Sequence, residues 1–476
     1  MKKILIILMT FLVIASCTKL EDLNKDTKAP TEVPGVTLFS AAQKSFADQI
    51  ASTNVNYNVY KLWSQYWTET TYTDEANYDI INRTIADNVW REWYRDVLVD
   101  FKQAGIVIGA TTYATPEEEA AAANQLQIIE ICNVFVYERM VTLFGNIPYT
   151  EALNIDNILP VYDDAATIYA DLLTRLDAAI AGLNTNAGSF GDADLFYHGD
   201  VAAWKLFANT LKLKMGIILS DADPGKAATV VNSAIDGGVF TSNADNCEMV
   251  YLGSPPNTNP LYVDLTLSGR QDFIGSTIIT DYMNPLEDPR LPAYFTFAPD
   301  TNVYLGGVYG HSNPYSEFSH IADAIATVPT FPGLILSYVE AEFYQAEAAA
   351  RGFTNDTPEE HYNHGIEASF DYWGIDGAAD YLAKPEVAYA TAEGDWKQKI
   401  GTQAWIAFYN NGYLGWTEWR RLQYPALSPP STSEFDYIPL RFTYPVFEQT
   451  LNGANYTQAA SAIGGDVMNT KLFFLK

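Results

Sequence analysis

Apolar residues recur at intervals of three and four along most of this chain, which predicts amphipathic helices. One such segment ends at Gly352 and another follows a few residues later, with apolar positions Leu336, Val339, Phe343 and Ala346, then Tyr362, Ile366, Phe370 and Trp373. Two helices of this length joined by a short turn form an antiparallel hairpin, the unit of tetratricopeptide-like repeats. The same pattern predicts helix pairs at 117–144 with 164–183, 200–220 with 224–236, and 395–410 with 412–422. Because a single hairpin cannot bury its apolar face, we expect these pairs to stack into a curved, mostly α-helical scaffold.

The same four-residue helix-start signal occurs twice, as Thr115-Pro116-Glu117-Glu118 and as Thr357-Pro358-Glu359-Glu360. Threonine suits the N-cap, proline suits the first helical position, and glutamate three residues after the cap completes a capping box. We therefore predict a helix, with a capping box, at each of these two places.

The pattern changes between residues 237 and 332, where Gly, Pro, Asn, Ser and Tyr surround only brief apolar runs. This composition indicates loops and short strands instead of a helix pair. Together with residues 54–84, this long insertion is predicted to form the ligand-facing surface of a single helical domain that covers residues 36–476.

The N-terminus has the form of a lipoprotein signal peptide. Two lysines precede the apolar stretch Ile4–Ile14, and small residues precede Cys17. The apolar stretch is too short to span about 30 Å of hydrocarbon, and cleavage before Cys17 leaves a thiol that can carry acyl chains. We predict that residues 1–17 are the signal peptide, that Cys17 is the site of lipid attachment, and that residues 18–35 are a polar tether. Because Thr18 replaces the aspartate of the usual inner-membrane retention signal, the outer membrane is the predicted location.

The net charge and the hydropathy of the chain exclude some classes of binding partner, and the cysteines bear on disulfide formation. The formal net charge of −30 argues against nucleic acid and against an anionic lipid surface as partners. After Cys17 no run of about 18 apolar residues recurs, so contact with the membrane is predicted through the lipid anchor alone. Cys132 and Cys247 could form a disulfide in an oxidising compartment, but two buried free thiols are the favoured interpretation.

Several motifs resemble those of the SusD/RagB family, in the branch of SusD-like nutrient-binding outer-membrane lipoproteins. They are Leu143-Phe144-Gly145-Asn146-Ile147-Pro148-Tyr149-Thr150-Glu151-Ala152, Asp288-Pro289-Arg290-Leu291, Leu336-Ser337-Tyr338-Val339-Glu340-Ala341-Glu342-Phe343 with Ala346-Glu347-Ala348, Trp416-Thr417-Glu418-Trp419-Arg420-Arg421, Tyr444-Pro445, and Gly464-Gly465-Asp466. The resemblance covers essentially the whole chain. It implies a non-catalytic receptor on tetratricopeptide-like hairpins that passes a nutrient, usually a glycan, to a TonB-dependent SusC-like transporter. The acidic residues Glu21, Asp22 and Asp26 also resemble the signal that carries such lipoproteins to the outer leaflet, so we expect the protein to face the cell exterior.

A glycan site needs flat aromatic rings for the sugar faces and polar side chains for the hydroxyl groups. The polar segment after residue 66 supplies Trp67, Tyr72 and Tyr78 as a predicted aromatic platform, with Asp74 and Asn77 as hydroxyl partners. Trp90, Trp93 and Tyr94 have helical spacing and are predicted core residues instead. In the long insertion, the candidates are Tyr262, Arg270, Tyr304, Tyr309 and Tyr315.

Signals for catalysis are few. No nucleophile elbow, phosphate loop, zinc-protease motif or zinc-type cysteine pairing occurs, and no cofactor is predicted. His361 and His364 share a face of a predicted helix, but the sequence indicates no third ligand, so they are interpreted as surface polar residues and no metal is predicted. Calcium is conceivable in so acidic a chain, although no EF-hand-like loop supports it.

Other functions remain open at this point. A lipid-anchored glycoside hydrolase would use the same aromatic residues but would need two correctly placed carboxylates. A helical-repeat scaffold that binds a protein on its concave face is a third interpretation, and a peptide could replace the glycan as the nutrient.

Overall fold

Helices form most of the structure, a computed structural model that describes residues 33–475. Cys17 and most of the predicted tether lie outside these residues. In chain order the helices are α1 Gly35–Ala51, α2 Tyr60–Trp63, α3 Ile85–Arg91, α4 Val99–Ala110, α5 Pro116–Phe144, α6 Ala165–Gly182, α7 Val201–Ile218, α8 Pro224–Gly237, α9 Pro260–Tyr262, α10 Thr277–Met283, α11 Leu291–Tyr294, α12 Asp323–Ala326, α13 Tyr338–Ala350, α14 Pro358–Tyr372, α15 Ala378–Leu382, α16 Trp396–Ala407, α17 Gly412–Leu422, α18 Val446–Leu451 and α19 Gly453–Ala462. A π-helical segment, Glu92–Leu98, joins α3 to α4.

The four predicted helix pairs are all present, as α5 with α6, α7 with α8, α13 with α14, and α16 with α17. The helices of each pair pack against each other, and neighbouring pairs also pack, with α6 against α7, α7 against α13, and α13 against α16. The hairpins therefore stack in chain order, which confirms the predicted tetratricopeptide-like arrangement. One continuous cluster of buried side chains extends from Phe39 to Leu475, and Trp90 and Trp93 belong to it, as predicted.

The two Thr-Pro-Glu-Glu signals behave differently. At α5 the Glu118 N–H donates to the Thr115 hydroxyl and the Glu118 carboxylate accepts from the Thr115 N–H, both at 3.2 Å, so this capping box is confirmed. Helix α14 begins at Pro358 as predicted, but the Thr357 side chain makes no capping hydrogen bond. The Glu360 N–H donates to the Thr357 carbonyl oxygen instead, at 3.2 Å. In a capping box this N–H would donate to the Thr357 hydroxyl, so the donor is already used. The prediction of a second capping box is wrong.

Two short antiparallel sheets tie the long insertion to the rest of the chain. Strand β1 (Trp67–Glu69) pairs with β3 (Phe273–Gly275), and β2 (Cys247–Met249) pairs with β4 (Gly333–Leu336). Between α8 and β4 the structure has only short strands and helices of seven residues or fewer, which confirms the predicted change of texture. Because β1 belongs to the segment 54–84, the β1–β3 pair joins the two loop regions that were predicted to face a ligand.

The two remaining cysteines have the predicted state. Cys132 and Cys247 are buried and free, and burial raises the pKa of both thiols. Among residues 33–475, no helix combines the length and the apolar character that crossing a membrane requires.

A buried cluster of charges joins three of the hairpins. The Arg421 guanidinium on α17 donates to the Glu347 carboxylate on α13 at 2.5 Å and to the Glu418 carboxylate on its own helix at 2.8 Å. Its Nη1 also donates to the carbonyl oxygen of Ile217 on α7, at 3.0 Å. Since all these groups are removed from water, each depends on the others for hydrogen bonds and charge balance.

Replacement of Arg421 by methionine is expected to destabilise the fold strongly. Arg421→Met removes the ion-pair partner of Glu418 and one of the two partners of Glu347, which keeps Arg351. Loss of one partner from a buried ion pair costs about 3–5 kcal/mol. The free energy of unfolding from denaturant titration measures this loss. Arg95→Met is the matched control, because Arg95 pairs with Asp96 at the surface and should leave the unfolding free energy nearly unchanged. Equal stability of the two variants would contradict the role given to Arg421.

Candidate ligand-binding surface

The backbone that follows β1 is held by two segments of the insertion. The Thr70 N–H donates to the Asp272 carbonyl oxygen at 2.9 Å, which extends the β1–β3 ladder by one bond. The Thr70 carbonyl oxygen accepts from the Asn313 N–H, also at 2.9 Å. These bonds fix the position of the segment after β1 between the two insertion segments.

The Asn77 side chain connects the same segment to two further parts of the chain. Its side-chain N–H groups donate to the carbonyl oxygens of Thr73 and Gly310, each at 2.7 Å, and its side-chain oxygen accepts from the Thr432 hydroxyl at 2.6 Å. Asn77 was predicted to bind ligand hydroxyl groups. The structure instead uses its amide to hold neighbouring segments together, so that prediction is corrected.

Three of the predicted aromatic ligand-binding residues are buried. Trp67, Tyr78 and Tyr309 have 1%, 0% and 5% of their surface exposed. The Trp67 indole N–H donates to the Tyr409 hydroxyl at 2.9 Å, and the Tyr309 hydroxyl donates to the Leu62 carbonyl oxygen at 2.8 Å. A platform built from these rings is therefore wrong for this conformation. For Trp67 the physical reason is that β1 is covered on both faces. Tyr78 lies outside β1, but its ring packs edge-on against Trp63 and its hydroxyl accepts from the Gln65 side chain at 3.2 Å.

Tyr72 differs from the three buried rings because 61% of its surface is exposed. Nearby lies Arg270, whose Nε and Nη2 both donate to the Asp272 carboxylate, the second at 3.0 Å. The hydrogen bonds that Arg270 donates to the Asp272 carboxylate raise the pKa of Arg270, and Tyr72 adds to this rise. We call Tyr72, Asp74, Arg270 and Asp272, all at the far end of the β1–β3 pair, the loop surface. It offers a flat ring, hydrogen-bond donors in a fixed fork and carboxylate acceptors, all open to solvent or partly so.

Asp74 is exposed, and its role in ligand binding remains a prediction, as do those of Tyr72 and Arg270. Asp272 was missed by the sequence analysis, although it stands two residues after Arg270 in an extended segment, where alternate side chains point the same way.

A second exposed aromatic group lies further along the insertion. Tyr304 is half-buried and its ring centre is 4.6 Å from that of Phe297, which is 47% exposed. Phe297 was also missed. Its spacing of two from Phe295 gave no usable signal, because that spacing predicts a shared face in an extended segment, whereas Phe295 is buried and Phe297 is exposed.

The other two candidates in the insertion are half-buried. Tyr262 ends the short helix α9, and the Tyr315 ring stacks on the His320 ring with centres 3.7 Å apart. Neither residue belongs to the loop surface, and ligand binding by Tyr262 and Tyr315 remains a prediction.

Beneath the loop surface lies a buried pair of carboxyl groups, Glu69 and Glu75. Burial, and next the neighbouring Glu75, raise the pKa of Glu69 well above its usual value, and burial also raises the pKa of Glu75. Arg83 forms an ion pair with Glu75, and the Glu69 carboxyl accepts from the Ala76 N–H at 3.0 Å. We assign the shared proton to Glu69 and the negative charge to Glu75, because Arg83 contacts Glu75.

An open cleft of about 530 Å³ lies between α10 and α16. Its lining includes the carboxylates Asp281, Glu386 and Glu393 together with Tyr282 and Gln398. All three carboxylates are exposed to solvent. This cleft is a second surface on which a soluble ligand could be held.

Comparison with known proteins identifies the family. A family model described as "Starch-binding associating with outer membrane" matches residues 27–445, which is most of the chain. The chain therefore belongs to the SusD-like family. No curated protein sequence matched it.

Solved structures with the same fold cover nearly the whole chain. A chitin-binding protein is 27% identical, with a TM-score of 0.79 over 92% of this chain and 99% of its own. A chitin-binding SusD homologue from Flavobacterium johnsoniae is 24% identical, with a TM-score of 0.79 over 92% and 98% of the two chains. A SusD-like protein from Bacteroides thetaiotaomicron is 24% identical, with a TM-score of 0.78 over 93% and 99%.

Truncation of Trp67 is expected to destabilise the protein. Trp67→Ala removes a fully buried indole and its hydrogen bond, and such a change costs about 3–5 kcal/mol. Thermal unfolding measures the effect, and Phe297→Ala, which truncates an exposed ring, is the control that should melt close to the wild type. A Trp67→Ala protein that melts at the wild-type temperature would show that the indole is not part of the core.

Neutralisation of Glu69 is expected to change the pH dependence of stability. The folded-state pKa of Glu69 lies above its unfolded value, so the stability it contributes is present at low pH and is lost as the pH rises through the folded-state pKa. Glu69→Gln keeps a neutral donor and acceptor at every pH. The melting temperature of Glu69→Gln minus that of the wild type should therefore increase as the pH is raised from about 5 to about 8.

The control for this comparison is Glu119→Gln, the same chemical change at an exposed position of α5. A difference between Glu69→Gln and the wild type that shrinks with rising pH would show that Glu69 is charged in the folded protein.

Proposed function

We propose that this protein binds an oligosaccharide at the loop surface and delivers it, chemically unchanged, to a SusC-like TonB-dependent transporter of the outer membrane. The observation that carries the proposal is the exposed Tyr72 ring beside the Arg270–Asp272 pair, in a chain of a family described as starch-binding.

The chemistry of the loop surface suits a sugar. The apolar face of a pyranose ring packs on a flat aromatic ring such as Tyr72, and hydrogen bonds to its hydroxyl groups fix its orientation. Arg270 supplies donors, while Asp272 and Asp74 supply acceptors. Because Asp272 already holds the Arg270 guanidinium, little side-chain freedom is lost when a ligand binds.

The family's description as starch-binding and the chitin-binding relative at 27% identity favour a glycan over a peptide. These comparisons support a polysaccharide fragment as the class of nutrient. Chitooligosaccharides and maltooligosaccharides are therefore the first ligands to test.

Binding without turnover is the proposed mode of action. Glu69 and Glu75 form a close carboxyl pair beneath the loop surface, but they are buried, and Arg83 contacts Glu75. A glycosidase needs two carboxyl groups that reach the same glycosidic bond from the two sides, and this pair has no such access. The exposed side chains of the loop surface can hold a sugar by contact alone.

The proposed location follows from the signal sequence and the family. Acyl chains on Cys17 would hold the protein at the outer membrane, which is the membrane named in the family description. A receptor that releases its ligand to a transporter needs only modest affinity. A net binding free energy of about −4 to −5.5 kcal/mol corresponds to a dissociation constant of about 0.1–1 mM.

Truncation of Tyr72 tests this proposal. Tyr72→Ala removes the stacking face, so it should weaken binding of the oligosaccharide about fivefold or more, on the order of 1 kcal/mol. Calorimetric titration with chito- and maltooligosaccharides measures the affinity, and the melting temperature should stay near that of the wild type because the ring is exposed.

Tyr113→Ala is the matched control, since Tyr113 is a partly exposed tyrosine between α4 and α5, and it should bind as the wild type does. The same oligosaccharides should also keep their length after long incubation. Unchanged affinity in Tyr72→Ala would exclude the loop surface, and shortened products that depend on the protein would favour the hydrolase alternative.

A further inference from the structure

Three potential metal ligands converge on the hairpin of α13 and α14, outside the loop surface. Glu342 lies on α13, and His361 and His364 lie one turn apart on α14. The Glu342 Oε2 atom is 2.7 Å from His361 Nδ1 and 3.7 Å from His364 Nδ1. One ligand atom from each residue lies within 4.8 Å of the other two. This third ligand could not be predicted from the sequence, because Glu342 is 19 positions before His361.

The set has the composition and nearly the spacing of a site for a divalent transition metal. Two imidazole nitrogens and one carboxylate oxygen are the ligands of many zinc sites, with bonds of about 2.0–2.2 Å and the fourth position left to water. Ligand atoms at the corners of such a tetrahedron lie about 3.3 Å apart. The observed separations require only small movements of side chains, and the least constrained of these, His364, is 45% exposed.

The groups around these three residues would orient them. Asp356 lies 3.8 Å from the second nitrogen of His361, the place where a carboxylate usually accepts the N–H of a metal-bound histidine. Glu342 itself is almost wholly buried, so its charge needs a positive partner at this point.

We propose that Glu342, His361 and His364 bind one divalent transition metal ion, with Zn²⁺ as the best match, and that the ion links α13 to α14. An ion that binds only the folded chain stabilises it by mass action. The exposed side of His364 leaves a path by which the ion enters and a place for a bound water molecule.

Zinc titration of the full chain, after removal of metals with a chelator, tests this proposal. We expect one Zn²⁺ per chain at a dissociation constant of about 10 µM or below, and a rise of about 2–4 °C in melting temperature when zinc is in large excess. His364→Ala and Glu342→Gln should each weaken zinc binding at least about tenfold, and Asp356→Asn should weaken it less. If Glu342→Gln unfolds, His364→Ala still tests the proposal, because the His364 side chain is 45% exposed and its removal should leave the protein folded.

His198→Asn is the control, because His198 is an exposed histidine elsewhere and asparagine tolerates its left-handed backbone. It should bind zinc as the wild type does. Binding no tighter than about 100 µM, or equal binding by His364→Ala and the wild type, would overturn the proposal and leave a simple hydrogen bond between His361 and Glu342.

Discussion

Arg421 is a buried cation that three helix hairpins share, and the arrangement of the scaffold depends on it. Its guanidinium meets Glu347 from a neighbouring hairpin, Glu418 from its own helix and a backbone carbonyl oxygen from α7. A guanidinium and two carboxylates are stable out of water only when their geometry is satisfied together. Because five directed hydrogen bonds leave this one side chain, α7, α13 and α17 have little freedom to slide past one another.

The rest of the molecule is built outward from this framework. Strand β4 leads directly into α13 and pairs with β2, which fixes one end of the insertion. Strand β3 pairs with β1 and places the segment of Tyr72 beside Arg270. The proposed ligand surface thus consists of exposed side chains on loops whose backbones are hydrogen-bonded to one another. Such an arrangement presents a flexible nutrient with groups that are already in position.

The hairpins and the family could be predicted from the sequence because both depend on local or motif-level patterns. Helical spacing of apolar residues directly reports one buried face. The motifs that carry the family resemblance contribute to buried ion pairs. Asp288 pairs with Arg290 inside one motif at 2.7 Å, and Asp466 of the Gly-Gly-Asp motif pairs with Arg441, which lies outside the motifs, at 2.6 Å. These motifs therefore mark the framework, which explains why they identify the fold well and say little about the ligand.

The candidate site could be predicted only in part, and the errors have physical causes. Trp67 and Tyr78 stand among polar residues, yet Thr68, Glu69 and Glu75 are themselves buried, so local polarity did not indicate exposure. Glu69 tolerates burial because its raised pKa favours the neutral form, a property of the neighbours that the fold brings together. Asp272 beside Arg270, and Glu342 beside two histidines, likewise depend on contacts that a single sequence does not display.

Hydrogen exchange of the full chain, with and without a bound chito- or maltooligosaccharide, tests the central claim most directly. The account predicts that ligand slows exchange in the backbone amides of residues 70–77 and 268–275, while the stacked hairpins exchange as before. Slower exchange confined to the α10–α16 cleft, around Asp281 and Gln398, would contradict it and would move the ligand to that cleft.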